Sequence, residues 1–253
     1  MPTRDTAWPA GTPCWIDYGA GELDSAKAFY ADLFGWSWTG GDEEYGGYAN
    51  ADKDGAQVAG LGPLMGEGDP PSWTTYFATD DAAATVGRIR DAGGTVVVEP
   101  MEIGPLGTMV IALDPQGHAF GLWQSGEHTG VQRYNEPGAL VWNEAAVEDT
   151  DAAQRFYTAV FGFQWQAMGG MAPYATFGTG GDPLGGLGGV SPGLPAGWTV
   201  CFAVSSTDGV VGAVEGAGGK VLHTPEDTEF GRFAVLEDPW GAPFSVMELP
   251  ARG

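Results

Sequence analysis

Hydrophobic positions along the chain change period in a readable order. Residues 12–18 (TPCWIDY) are a short run of aromatic and β-branched side chains, the pattern of a strand. Ala26, Phe29, Tyr30, Leu33 and Phe34 then recur every three to four residues, which predicts a helix. Asp24 is its expected N-cap and Gly35 its left-handed C-terminal residue. Short strands are predicted near 45–50, 55–61 and 74–79, a helix over 81–92, and a strand over 95–98. A hairpin of 108–113 with 119–124 turns on Asp114-Pro-Gln-Gly117, with Pro and Gly where such a turn needs them.

The whole series then recurs. Residues 138–165 align with 11–38 without a gap, and 9 of 28 positions are identical, among them Trp15/Trp142, Phe29-Tyr30/Phe156-Tyr157 and Phe34-Gly35/Phe161-Gly162. The second copy predicts a strand at 139–145 and a helix from Asp151 to Gly162. Strands follow near 172–178, 184–187 and 199–204, then a helix over 207–216, a strand at 220–223 and a hairpin of 232–237 with 243–249. A tandem duplication of one unit explains this. The expected organisation is a tail (1–10), a first module (11–125), a linker (126–137), a second module (138–249) and a tail (250–253). Each module reads as two βαβββ pieces. The fold class is α+β: about eight strands curling into an open cup, with helices outside.

Composition narrows the function. Hydrophobic residues make up 43%, enough for a packed core. The net charge is −23, and both copies are acidic, which argues against nucleic acid and anionic membrane surfaces as partners. No apolar run approaches membrane-spanning length, and the N-terminus has no signal-peptide pattern. Cys14 and Cys201 lie in apolar strand runs and read as buried thiols. A cytoplasmic protein is expected, as monomer or homodimer, with a small-molecule ligand or substrate as its partner.

The motif D-x-x-x-x-FY-x-x-x-FG-W/F near each repeat start and D-P-x-G near each repeat end resemble the vicinal oxygen chelate superfamily. This group contains glyoxalases, bleomycin-resistance proteins and extradiol dioxygenases, and the chain is similar to its tandem two-module members. The resemblance covers nearly the whole chain and implies the cup fold. It also implies metal ligands at four positions, occupied here by Trp15, Gly121, Trp142 and Ser245. An indole nitrogen only donates, glycine has no side chain, and one serine hydroxyl is a poor ligand. The expectation is therefore no metal and no cofactor.

Strand alternation places Asp17 beside Trp15 and Glu144 beside Trp142 on the cup face. Trp123 and Met247 join Gly121 and Ser245, with Tyr48 and Tyr174 as neighbours. An aromatic slot with two carboxylates suits a planar aromatic or cationic ligand. Asp17 and Glu144 are the candidate general bases. The slot suits a metal-independent binding protein for a hydrophobic aromatic or cationic small molecule, and the resemblance implies two alternatives: a cofactor-free enzyme (proton transfer or oxygenation) on an aromatic polyketide-like substrate, or a metal-dependent lyase or dioxygenase. The first repeat keeps more of the aromatic end (Gly-Leu-Trp-Gln), so its cup is expected to be the better site.

Overall fold

The structure is a computed structural model that describes residues 3–66, 68–169 and 173–250. Its first sheet comes from the first repeat: β1 (Pro13–Ala20), α1 (Leu23–Phe34), β2 (Ser37–Gly40), β3 (Ala49–Lys53), β4 (Ala56–Pro63), β5 (Ser72–Ala78), α2 (Ala82–Asp91), β6 (Thr95–Glu102), β7 (Gly107–Leu113) and β8 (Ala119–Ser125). The second repeat supplies β9 (Leu140–Val147), α3 (Thr150–Phe161), β10 (Gln164–Met168), β11 (Tyr174–Gly178), β12 (Gly185–Gly189), β13 (Gly197–Val204), α4 (Thr207–Gly216), β14 (Lys220–Thr228), β15 (Gly231–Glu237) and β16 (Pro243–Glu248).

Each sheet has eight strands and is open, with the order β2-β3-β4-β1-β5-β8-β7-β6 in the first and β10-β11-β12-β9-β13-β16-β15-β14 in the second. The two βαβββ pieces of a module meet at one antiparallel pair, β1 with β5 or β9 with β13. The two repeats thus build two tandem modules of like topology, as the resemblance implies. No helix among the described residues is long and apolar enough to cross a membrane.

Local details depart from the sequence reading. The strands β2 and β10 were not expected, because they are short edge strands with no buried alternation. Asp24 and Asp151 are not N-caps. They lie in the first turns of α1 and α3, which open two residues earlier, at Glu22 and Asp149. Asp149 accepts from the Ala152 N–H, whereas Glu22 makes no side-chain cap. Gly35 and Gly162 do close their helices, at φ 73° and 75°. The strand expected near 172–178 is seen from Tyr174, position 172 lying outside the described residues, as do 1–2 and 251–253 of the two tails.

Alternation along the central strands sorts two faces. Cys14, Ile16 and Tyr18 of β1 lie in the shared core, as does the buried Trp15, and Trp15 and Asp17 share the other face of the strand, where both meet Tyr48. Between the modules Phe34 meets Phe202 at 4.5 Å, Phe77 meets Phe161 at 4.8 Å, and the Thr75 hydroxyl donates to Asn143 Oδ1 at 2.9 Å. Both repeat motifs serve this interface. Asp238, in the turn of the second repeat, accepts from the Tyr18 and Tyr30 hydroxyls of the first, at 2.6 and 2.8 Å. Reciprocally, Asp114 accepts from Tyr157 at 3.1 Å. Each aspartate uses its other oxygen to hold its own turn, through the backbone N–H of Gln116 and His118 or of Trp240 and Ala242.

Candidate functional site

The two cups carry the same polar chain. In the first, the Trp15 indole donates to the Tyr48 hydroxyl at 2.9 Å, and Tyr48 donates to Asp17 Oδ2 at 3.3 Å. In the second, Trp142 donates to Tyr174 at 3.1 Å and Tyr174 to Glu144 Oε2 at 3.1 Å. Glycines on the neighbouring strand make room for the tyrosines. A Cβ on Gly60 would lie 1.8 Å from the Tyr48 hydroxyl, and one on Gly186 would lie 1.8 Å from that of Tyr174. The structure thus brings Trp15, Asp17 and Tyr48 together, and likewise Trp142, Glu144 and Tyr174.

Burial pushes the Asp17 carboxyl up to about 7, with hydrogen bonds from Tyr76 and Tyr48 offsetting part of the rise. Glu144 is raised for the same reason, offset by Tyr174. Both carboxyls can therefore hold or release a proton closer to neutrality than an exposed carboxylate.

The cups differ in how they are filled. In the first, the Tyr76 ring occupies the space over Gly121, where a Cβ would come within 2.1 Å of it. Trp15, Tyr76 and Trp123 are 3, 4 and 7% exposed. His128, in the segment read as a linker, stands edge-on to Trp15 at 4.3 Å and lies 5.3 Å from Trp123. The Trp123 indole donates to the His128 carbonyl at 2.8 Å. Burial pushes the His128 imidazole down to about 4, so it sits there neutral. The segment is held along the sheet by Val131 N–H on the Cys14 carbonyl and Gln132 N–H on the Gln57 carbonyl. Sequence reasoning missed His128, whose segment carries mostly turn-forming and polar residues.

In the second cup, Tyr76 and Gly121 are replaced by Cys201 and Ser245. Trp142, Glu144 and Met247 are half-buried, and Trp142 makes no ring contact with another described aromatic residue. Ser245 is 1% exposed, and its hydroxyl has no hydrogen-bond partner. Tyr76 and His128 thus crowd the first cup, the one the sequence favoured, more than Cys201 and Ser245 crowd the second.

A family description for the Glyoxalase/Bleomycin resistance protein/Dioxygenase superfamily matches residues 15–122, and one for the bleomycin resistance protein-like N-terminal region matches 140–180. A Mycobacterium bovis protein, "Putative glyoxylase CFP32", is 39% identical over 98% of each chain. The chain belongs to the glyoxalase/bleomycin resistance protein/dioxygenase superfamily. "Anthracycline biosynthesis protein DnrV" of Streptomyces peucetius is 37% identical over 96% of this chain and 95% of that one. Among solved structures, the Mn(II)-bound glyoxalase from Novosphingobium aromaticivorans superimposes with a TM-score of 0.66 at 19% identity, over 95% of this chain and 83% of that one. The 2,2',3-trihydroxybiphenyl 1,2-dioxygenase from Sphingomonas wittichii gives 0.65 at 18% identity, over 96% and 93%.

Metal-using members of the glyoxalase superfamily raise the question of whether these cups suit a metal ion. Their donor set does not fit one. Both indole N–H groups on β1 and β9 donate to tyrosines, Gly121 offers nothing, and Ser245 offers one neutral hydroxyl. Among the described residues, no three His, Cys, Asp or Glu side chains stand together as a metal site.

Proposed function

We propose that this chain is a small-molecule-binding protein of the superfamily, taking a flat, hydrophobic aromatic ligand in its second cup without a metal ion in the contact. The observation that carries the reading is the half-open Trp142–Tyr174–Glu144 chain beside the unpartnered Ser245 hydroxyl. An indole face supplies stacking area, and a few convergent polar groups fix orientation, as small-molecule sites require. The names of the two anthracycline biosynthesis relatives, 37 and 36% identical, fit a fused-ring aromatic ligand.

Calorimetric titration of a dihydroxyanthraquinone into chelator-dialysed protein tests this. One equivalent should bind, and Trp142→Ala should weaken it roughly tenfold or more, the loss of about 1.4 kcal/mol, while Trp15→Phe leaves it unchanged. Binding that appears only on adding a divalent metal, or survives Trp142→Ala intact, would overturn the reading. A second reading, proton transfer on the same ligand class without a cofactor, is favoured by the raised Glu144 carboxyl beside the slot. Glu144→Gln should then abolish turnover and spare binding.

A further inference from the structure

Duplication created a second pair of equivalent places, the seams where a helix of one module meets a helix of the other. At the α2–α3 seam, Arg88 bridges the two helices. Its Nε donates to the Val160 carbonyl at 2.9 Å, and a terminal nitrogen donates to Thr85 Oγ1 at 2.7 Å. Gln116 closes the same seam by gripping Asp149 twice, accepting from its N–H at 2.7 Å and donating to its carbonyl at 3.1 Å.

At the α1–α4 seam, alignment of the repeats puts Ala213 where Arg88 stands, Trp240 where Gln116 stands, and Asp32 in place of Ala159. A groove of about 500 Å³ lies there, lined by Phe29, Asp32, Leu33, Ala213, Gly216 and Trp240 among others. Its counterpart to the Val160 carbonyl is that of Leu33, beside an alanine methyl that cannot donate.

Three features of the open seam favour positive charge. Asp32 has no ion-pair partner among the described residues. The C-terminal end of α1 (Leu23–Phe34) carries the negative pole of its dipole. Trp240 offers an indole, set edge-to-face with Phe29 at 5.7 Å, on which a cation can rest. Its indole N–H is also unused: nine of the ten tryptophans donate a hydrogen bond through Nε1 to a protein acceptor, and Trp240 makes none among the described residues. The sister seam shows what the space accepts, a guanidinium on an apolar stem.

We propose that the α1–α4 seam is a second small-molecule site, which binds an organic cation of the guanidinium class through Trp240 and Asp32. The site is separate from the cups and stands or falls independently of the function proposed for them.

The test is an NMR titration of the Trp240 indole resonance, assigned by its loss in Trp240→Phe, with phenylguanidinium as probe and neutral phenylurea as its control. Phenylguanidinium should shift the resonance saturably with a Kd near or below about 1 mM. Asp32→Asn should weaken it roughly two- to fivefold. Ala213→Arg should abolish it, because the new side chain occupies the groove as Arg88 occupies its twin, and Trp142→Phe should leave it unchanged. No saturable shift, an equal response to phenylurea, or a titration unaffected by Ala213→Arg would each overturn the proposal. Loss of the response in Trp142→Phe would do so too, by placing the probe in the cup.

Discussion

Replacing Asp17 by asparagine isolates the cost of a buried charge in the first cup. In the unfolded chain this carboxyl ionises near 3.8, and in the fold at about 7. Between those values the folded protein holds a proton that the unfolded chain has released. Stability from this group is therefore fully present below about pH 4 and is lost as pH rises through 7. Three pH units correspond to at most about 4 kcal/mol, and the half-buried state of Asp17 reduces that to roughly 2–3. Asparagine never ionises, and its carbonyl can still accept from Tyr48, which donates to Asp17 at 3.3 Å. Urea unfolding of both proteins from pH 4 to 8.5 should show nearly equal stability at the acid end. The variant should then become progressively more stable, with the difference levelling above pH 7. Glu144 and His128 titrate in both proteins and drop out of that difference. A difference independent of pH, or a variant less stable at pH 8 than the parent, would refute the assignment of a raised, buried carboxyl.

Other expectations follow from the same geometry. Asp238→Ala strands two buried tyrosine hydroxyls and two turn N–H groups, and should lower unfolding stability by about 3–5 kcal/mol, read by urea denaturation. Gly186→Ala places a methyl in the Tyr174 ring, so it should cost about 1–3 kcal/mol and abolish binding in the second cup by calorimetry. His128→Ala removes the ring against Trp15 and Trp123 and should raise acrylamide quenching of tryptophan fluorescence.

The duplication, most of the order of elements and the shared face of Trp15 and Asp17 were legible because each is a local signal repeated in one chain. The alternation of β1 placed Trp15 and Asp17 on one face, and the structure keeps that register. What could not be read were partners across the repeats. Tyr30 and Tyr157 belong to a helical apolar stripe, but their acceptors, Asp238 and Asp114, lie in the other copy. Periodicity tells which face a residue occupies and says nothing of what arrives there. His128 was opaque for the same reason. A polar segment between repeats reads as a tether, and only its packing on Trp15 and Trp123 turns it into a filler. The misplaced N-caps arose because an aspartate within the first turn and one preceding it look alike in sequence.

Divergence after duplication has redistributed volume between two strands of each cup, and the proposed ligand site rests on that difference. In the first copy a large residue on β5 and none on β8 put the Tyr76 ring across the cup floor. In the second, the small side chains of Cys201 and Ser245 stand at the equivalent places, and Trp142 is half-buried without a ring contact among the described residues. Close packing leaves a filled cup no room for a guest without displacing its own rings. Each cup also keeps one buried polar atom without a partner, the Ser245 hydroxyl in the second and His128 Nε2 in the first, and such an atom is costly unless something hydrogen-bonds to it. The copy that retained more aromatic residues packs them against one another, and the copy that lost them holds small side chains at the equivalent places, which is the contrast the proposed ligand site rests on.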